Sequence, residues 1–185
     1  MQIYSLKPNV THEQAVALLA AQGATRLLRT LTAGPLRSVA DLYVPFRLYR
    51  AHISNRGRRD ESLVAIDSIA GTLDLFRFDH LPSGEETISL QTRNHLAAQL
   101  PEDLARERLV AKLRRVAYQR GFFRLRDLAI TAEPVSELYI PYWLGFRGSK
   151  GRARLAVIDA VRRRFEGAKM RHLVESWLLS NSPSR

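Results

Sequence analysis

The chain of 185 residues contains no cysteine. A disulfide, a thiolate zinc site and a cysteine nucleophile are therefore all excluded, and the usual sign of an oxidising compartment is missing. Long apolar runs are missing too. The longest uncharged apolar stretch, near Ala15 to Ala24, is about half of the ~20 residues that a membrane span needs. The first residues, Met1-Gln-Ile-Tyr-Ser-Leu-Lys-Pro-Asn9, do not place a basic region before an apolar one, as a secretory signal does. These features lead to the expectation of a cytoplasmic protein with no membrane partner.

Catalytic and ligand-binding patterns are equally scarce. The histidines, His12, His52, His80, His95 and His172, include no pair at i,i+3 or i,i+4 and no recognised metal-ligand spacing. No Gly-x-Ser-x-Gly elbow occurs. Gly148-Ser-Lys-Gly151 lacks the full spacing of a phosphate loop and reads as a hairpin turn between strands. No catalytic residue, metal site or cofactor is expected.

Positive charge is abundant, with 29 Lys and Arg against 18 Asp and Glu. Its distribution along the chain is uneven. Residues 1–92 hold ten basic and nine acidic side chains, a net of +1. Residues 93–185 hold nineteen and nine, a net of +10. Lysine is rare, confined to Lys7, Lys112, Lys150 and Lys169.

The chain also repeats itself. Val39-Ala-Asp-Leu-Tyr-Val-Pro-Phe46 recurs as Val135-Ser-Glu-Leu-Tyr-Ile-Pro-Tyr142, and Leu63-Val-Ala-Ile-Asp-Ser-Ile69 as Leu155-Ala-Val-Ile-Asp-Ala-Val161. Upstream, His12-Glu-Gln-Ala-Val-Ala-Leu-Leu19 faces Arg106-Glu-Arg-Leu-Val-Ala-Lys-Leu113. Three landmarks in one order indicate an internal duplication.

Each copy reads as a short strand, a helix and a run of strands. Ile3–Leu6 and Thr87–Leu90 are the opening strands. Asn9 or Thr11 can cap the first helix, which Gly23 suits as a stop. The second helix starts near Pro101 and runs to about Gln119, with Gly121 as its stop. Leu109, Val110, Leu113, Val116 and Ala117 form its apolar face, with Arg108, Lys112 and Arg115 expected opposite. Strands are expected over Phe122–Thr131, Glu137–Phe146, Arg154–Val161 and Thr72–Phe78. The equivalent of Thr72–Phe78 is expected near Gly167–Leu173, running into a short terminal helix at Val174–Ser180. Pro45 and Pro141 cannot donate to a ladder, which suggests an edge strand or a bulge. The fold class is α+β: two tandem repeats, each a helix packed on an antiparallel β-sheet, over residues 1–84 and 85–185.

A helix followed by an antiparallel meander, with an aromatic strand and then an apolar strand ending in Asp, resembles a cystatin-like or PepSY-like unit. Asp67-Ser-Ile-Ala-Gly71 is similar to the turn that closes such strands, whereas Asp159-Ala-Val-Arg-Arg163 departs from it. The Tyr-x-Pro-Tyr-Trp and Asp-Ala-Val-Arg-Arg segments also resemble uncharacterised bacterial proteins. The PepSY resemblance implies a non-catalytic role.

Three candidate groups remain. Asp67 and Asp159 are repeated acids inside apolar runs. They suit acid–base chemistry if brought together, or turn-amide binding at strand ends if not, and the second reading is preferred. Tyr43, Tyr139 and Trp143 share one strand face, either an exposed aromatic platform or a second buried face. Arg147, Lys150, Arg152 and Arg154 are expected on one continuous positive surface that docks an anionic partner, nucleic acid or an acidic protein. The expected function is therefore non-enzymatic binding or scaffolding, with nucleic-acid binding through the basic second repeat as the alternative.

Overall fold

A computed structural model describes residues 1–20, 34–121, 127–148 and 154–180. In chain order the elements are β1 (Gln2–Leu6), α1 (His12–Ala20), β2 (Leu36–Asn55), β3 (Arg58–Asp67), β4 (Phe76–Phe78), β5 (Thr87–Gln91), α2 (Glu102–Gly121), β6 (Ala129–Arg147), β7 (Arg154–Asp159), β8 (Arg164–Phe165) and α3 (Ala168–Ser180). The strands hydrogen-bond in the order β4-β3-β2-β6-β1-β5, with β7 on β6 and β8 on β7.

The expectation of two tandem helix-on-sheet repeats does not hold. The strands join one mixed sheet. The chain divides into two compact units, each assembled from separate stretches of sequence. Unit 1 comprises Met1–Val44, Ile88–Leu96 and Ile140–Arg185; unit 2 comprises Pro45–Thr87 and Ala97–Tyr139. β2 and β6, at 20 and 19 residues, are some three times the usual strand length. Residues from each strand enter both units. An apolar helix stripe requires a sheet to cover it but does not specify which one.

In unit 2, α2 lies on the apolar face of β2 and β3. Ala105, Leu109 and Leu113, spaced four apart, are buried against Tyr49, Ala51, Val64 and Ile66. The Tyr49 hydroxyl donates to the Glu102 carbonyl at 3.2 Å. β2 and β3 form a hairpin whose Asn55↔Arg58 pair is closed by Arg56 and Gly57, at φ 52° and 75°. Two positive φ values in a two-residue loop match the twist of an antiparallel pair.

Arg108 and Lys112 do not point to the solvent side of α2 as expected. They flank the apolar stripe and donate to the carbonyls of Ala70 and Leu73. Their stems lie along the core while their heads satisfy the turn after β3. That turn consumes much of the strand expected at Thr72–Phe78, of which β4 retains Phe76–Phe78.

In unit 1, Thr11 and Gln14 form a reciprocal cap on α1: the Gln14 amide donates to Thr11 Oγ1 at 3.3 Å, and the Thr11 amide to Gln14 Oε1 at 3.2 Å. The stop expected at Gly23 lies outside the described residues. Val10, Ala15 and Ala160 are buried together, with Val39 and Trp143 against them. The terminal helix forms, but α3 begins at Ala168, earlier than expected.

Neither Pro45 nor Pro141 sits on an edge strand, since β2 and β6 are both flanked. The Tyr43 amide donates to Asn94 and its carbonyl accepts from Leu96, whereas the Pro45 carbonyl accepts from Ser68. Pairing with β3 starts at Phe46↔Asp67. Pro45 stands opposite Ser68 in the same register, so the one bond its missing N–H gives up is at the end of the ladder, and the Ser68 carbonyl accepts instead from the amides of Gln99 and Leu100. Pro141 has the same setting opposite Ala160, whose carbonyl accepts from the Asn9 amide. The Pro141 carbonyl accepts from Ala160, and pairing with β7 starts at Tyr142↔Asp159.

Candidate anion-binding surface

Asp67 and Asp159 each end a strand and are each fully buried. Asp67 Oδ1 accepts from the amides of Ala70 and Gly71 at 2.9 and 2.7 Å, and Oδ2 accepts from Leu73 at 2.8 Å. Asp159 Oδ1 accepts from Val161 and Arg162 at 2.9 and 2.7 Å, and Oδ2 accepts from Arg162 Nε at 2.5 Å. Both carboxylates are occupied by the turns they organise. Gly71 and Arg163, four residues beyond the respective aspartates, both have a left-handed backbone, at φ 60° and 56°. The departure at Arg163 therefore leaves the conformation unchanged and puts a side chain where glycine is favoured.

The aromatic candidates are placed as follows. Trp143 is half-buried. Its Nε1 donates to the Val10 carbonyl at 2.8 Å, and its ring meets His12 edge-on at 5.4 Å. Tyr43 and Tyr139 are also half-buried, Tyr43 in unit 1 and Tyr139 in unit 2. Burial raises the hydroxyl pKa of both, and the charge of Asp41 adds to the effect on Tyr43. Tyr142 lies deeper, and burial followed by the Asp159 charge pushes its hydroxyl pKa well up.

The four basic candidates separate. Lys150 and Arg152 lie outside the described residues. Arg147 is buried, contrary to the exposure expected of it. Its guanidinium donates to the carbonyl of Leu19, in the last turn of α1, and at 3.2 Å to that of Gly34. The bond to Leu19 ties the end of β6 to α1. Arg154 is exposed at the start of β7.

Arg154 opens onto a groove of about 330 Å³ within unit 1. Leu19, Leu155, Ala156, Val157 and Phe165 supply its apolar lining, and Arg147, Arg154, Arg171 and Glu166 its charged groups. Phe165, on the two-residue strand β8, is 46% exposed. Glu166 is held by Arg164 at 3.2 Å and by Arg162 at 3.6 Å. Arg162 also binds Asp159. Among the described residues, Arg154, Arg163 and Arg171 are exposed and make no ion pair. The three consecutive arginines 162–164 diverge: one binds the buried aspartate, one is unpaired, and one holds Glu166.

Charge follows the units closely. Unit 1 contains fifteen basic and five acidic residues; unit 2 contains fourteen and thirteen. Unit 2 disperses its charges in pairs such as Arg47–Glu137, with Nε to Oε1 at 2.8 Å, and Arg50–Glu61 at 3.0 Å. A groove of about 500 Å³ in unit 2, lined by His52, Ser54, Arg59, Asp60, Glu61 and Thr131, contains both signs.

Phe165 was not among the sequence candidates. A lone Phe in a two-residue strand between Arg164 and Glu166 has no periodicity to mark it. Among the described residues, no group of three or more acidic or histidine side chains could hold a metal ion, and no helix is long and apolar enough to cross a membrane. Comparison with protein-family models, curated proteins and solved structures finds no match.

Proposed function

We propose that the chain is a non-enzymatic binding protein that takes an anionic partner on unit 1. The observation that carries this reading is the concentration of charge there: fifteen basic residues against five acidic, with Arg154, Arg163 and Arg171 exposed and unpaired among the described residues. Clustered cations of this kind attract anions from a distance and gain from counterion release on polyanions. The occupied carboxylates of Asp67 and Asp159 favour binding over acid–base catalysis, because every donor around them is already engaged in a turn. A second reading, single-stranded nucleic acid as the partner, draws on Phe165, whose exposed ring beside unpaired arginines offers a stacking surface for a base.

The test is binding to heparin, RNA and single-stranded DNA at low and moderate salt. Wild-type protein should bind with affinity that falls steeply as salt rises. Replacing Arg154, Arg163 and Arg171 together by Gln should weaken binding by about tenfold or more and flatten the salt dependence. A wild-type protein that binds none of the three polymers at low salt contradicts the reading. A nucleic acid that binds no better than heparin and is indifferent to Phe165→Ser removes the second reading alone.

A further inference from the structure

We propose that the unit 1 groove is a site for a small amphipathic anion, with a carboxylate or phosphate head against Arg154 and Arg171 and an apolar tail over Leu155, Val157 and Phe165. The inference rests on the anion-binding reading above and adds to it the ligand's size and its tail.

Three observations carry it. The first is the pairing of chemistries in one concavity. The apolar lining comes from β7, β8 and α1, and the guanidinium groups stand at the ends of β6 and β7 and in the first turn of α3. A polymer backbone needs only the cations, whereas the apolar lining is covered only by a ligand that carries apolar surface of its own.

The second observation is electrostatic. Arg147 and Arg154 are direct cross-strand partners, so two like charges leave the sheet opposite one another. Such a pair is unfavourable unless something offsets it. Arg147 turns to the Leu19 and Gly34 carbonyls. Glu166 is the one carboxylate among the described lining residues, and it is committed to Arg162 and Arg164. Arg154 and Arg171 therefore keep their charge available to a ligand. An anionic head against Arg154 offsets the like charge of the Arg147–Arg154 pair, and a guanidinium fork matches a carboxylate or phosphate in two hydrogen bonds.

The third observation is size. The groove volume is about 330 Å³. That is at the small end of the range of small-molecule sites, which suits a short-chain ligand such as octanoate.

The experiment titrates full-length protein with octanoate by calorimetry and by amide chemical-shift mapping. Acetate (head alone), octanol (tail with a neutral head) and octylammonium (tail with a cationic head) serve as comparisons. Octanoate should bind at least about tenfold more tightly than each of these, with shifts centred on Leu155, Val157 and Phe165. Octyl phosphate binding more tightly than octanoate keeps the proposal and assigns a phosphate head. Arg154→Gln with Arg171→Gln should abolish the preference for octanoate over octanol. Phe165→Ser should weaken octanoate while leaving heparin binding unchanged. Both sets of substitutions lie at exposed positions, so the fold is preserved, and far-ultraviolet dichroism checks this.

Octanol equal to octanoate removes the role of the arginines and overturns the proposal. So does acetate equal to octanoate, which removes the role of the tail. Polyanion binding without any binding of octanoate or octyl phosphate overturns this inference and leaves the broader reading standing. Failure of every anion, polymeric or small, overturns both.

Discussion

Replacing Asp67 by Ala removes one side chain and strands three hydrogen-bond donors. The amides of Gly71 and Leu73 are buried, and that of Ala70 is partly so. A buried donor left without an acceptor costs about 1–3 kcal/mol. The two fully buried donors give roughly 2–6 kcal/mol, and relaxation of the turn towards water favours the lower half, about 3 kcal/mol. The effect extends through the turn's carbonyls, because Arg108 and Lys112 of α2 donate to Ala70 and Leu73 from the other side. Urea denaturation followed by dichroism is the assay. With a slope of about 2 kcal/mol/M the midpoint should fall by about 1.5 M. Asp67→Asn provides a graded control. An amide oxygen at the Oδ1 position keeps the two bonds to Ala70 and Gly71, while its NH₂ group faces the Leu73 amide, donor against donor. The loss should be about half that of the alanine variant, or ~1–2 kcal/mol. An alanine variant within about 0.5 kcal/mol of wild type would refute the view that this carboxylate organises the turn.

Other outcomes follow from single residues. Gly71→Ala should destabilise by about 1–2 kcal/mol in the same assay. The new methyl meets Arg108 Cδ at 2.9 Å and Leu100 Cδ2 at 3.1 Å, at φ 60°. At the matching position Arg163→Gly should stabilise by about 0.5–1 kcal/mol, since the left-handed backbone no longer carries a side chain. Arg147→Met should lower stability by about 1–3 kcal/mol, because a charge-assisted bond to Leu19 and one to Gly34 are lost. The same variant should leave heparin affinity within about twofold of wild type, unlike replacement of Arg154. The raised pKa of Tyr142 sets a pH dependence. Below an unfolded value of about 10 the hydroxyl is protonated in both states and contributes no slope. Above about 10 the unfolded chain releases this proton while the folded protein retains it, so stability falls as pH rises. Absorbance at the phenolate band should show a tyrosine that ionises only as the protein unfolds, and Tyr142→Phe should remove that step.

Much of the local structure was legible in the sequence. The stripe Leu109, Val110 and Leu113 marks a helix because apolar side chains three and four apart must share one face. The ends of β3 and β7 at Asp67 and Asp159 follow from an acid closing an apolar run, where only a turn can satisfy the carboxylate. Excess positive charge is a matter of composition and needs no coordinates.

Tertiary structure decided which pieces meet. An apolar stripe is the same stripe whichever sheet covers it, so the sequence could not say that α2 lies on β2 and β3. A proline within a strand signals an edge or a bulge because a missing donor usually costs a ladder bond. Only the fold shows that each proline sits at the end of a ladder, where the carbonyl left open, of Ser68 or of Ala160, is taken by the amides of Gln99 and Leu100 or of Asn9. Arg147 and Arg154 look alike as arginines flanking one loop. The fold sends the first to the carbonyls of Leu19 and Gly34 and leaves the second in solvent, because carbonyls brought close by folding are acceptors that no local pattern encodes. The groove beside them has the same origin: a concavity with an apolar lining and charged groups is a property of side chains gathered from α1, β6, β7, β8 and α3, and it exists only once those elements are assembled.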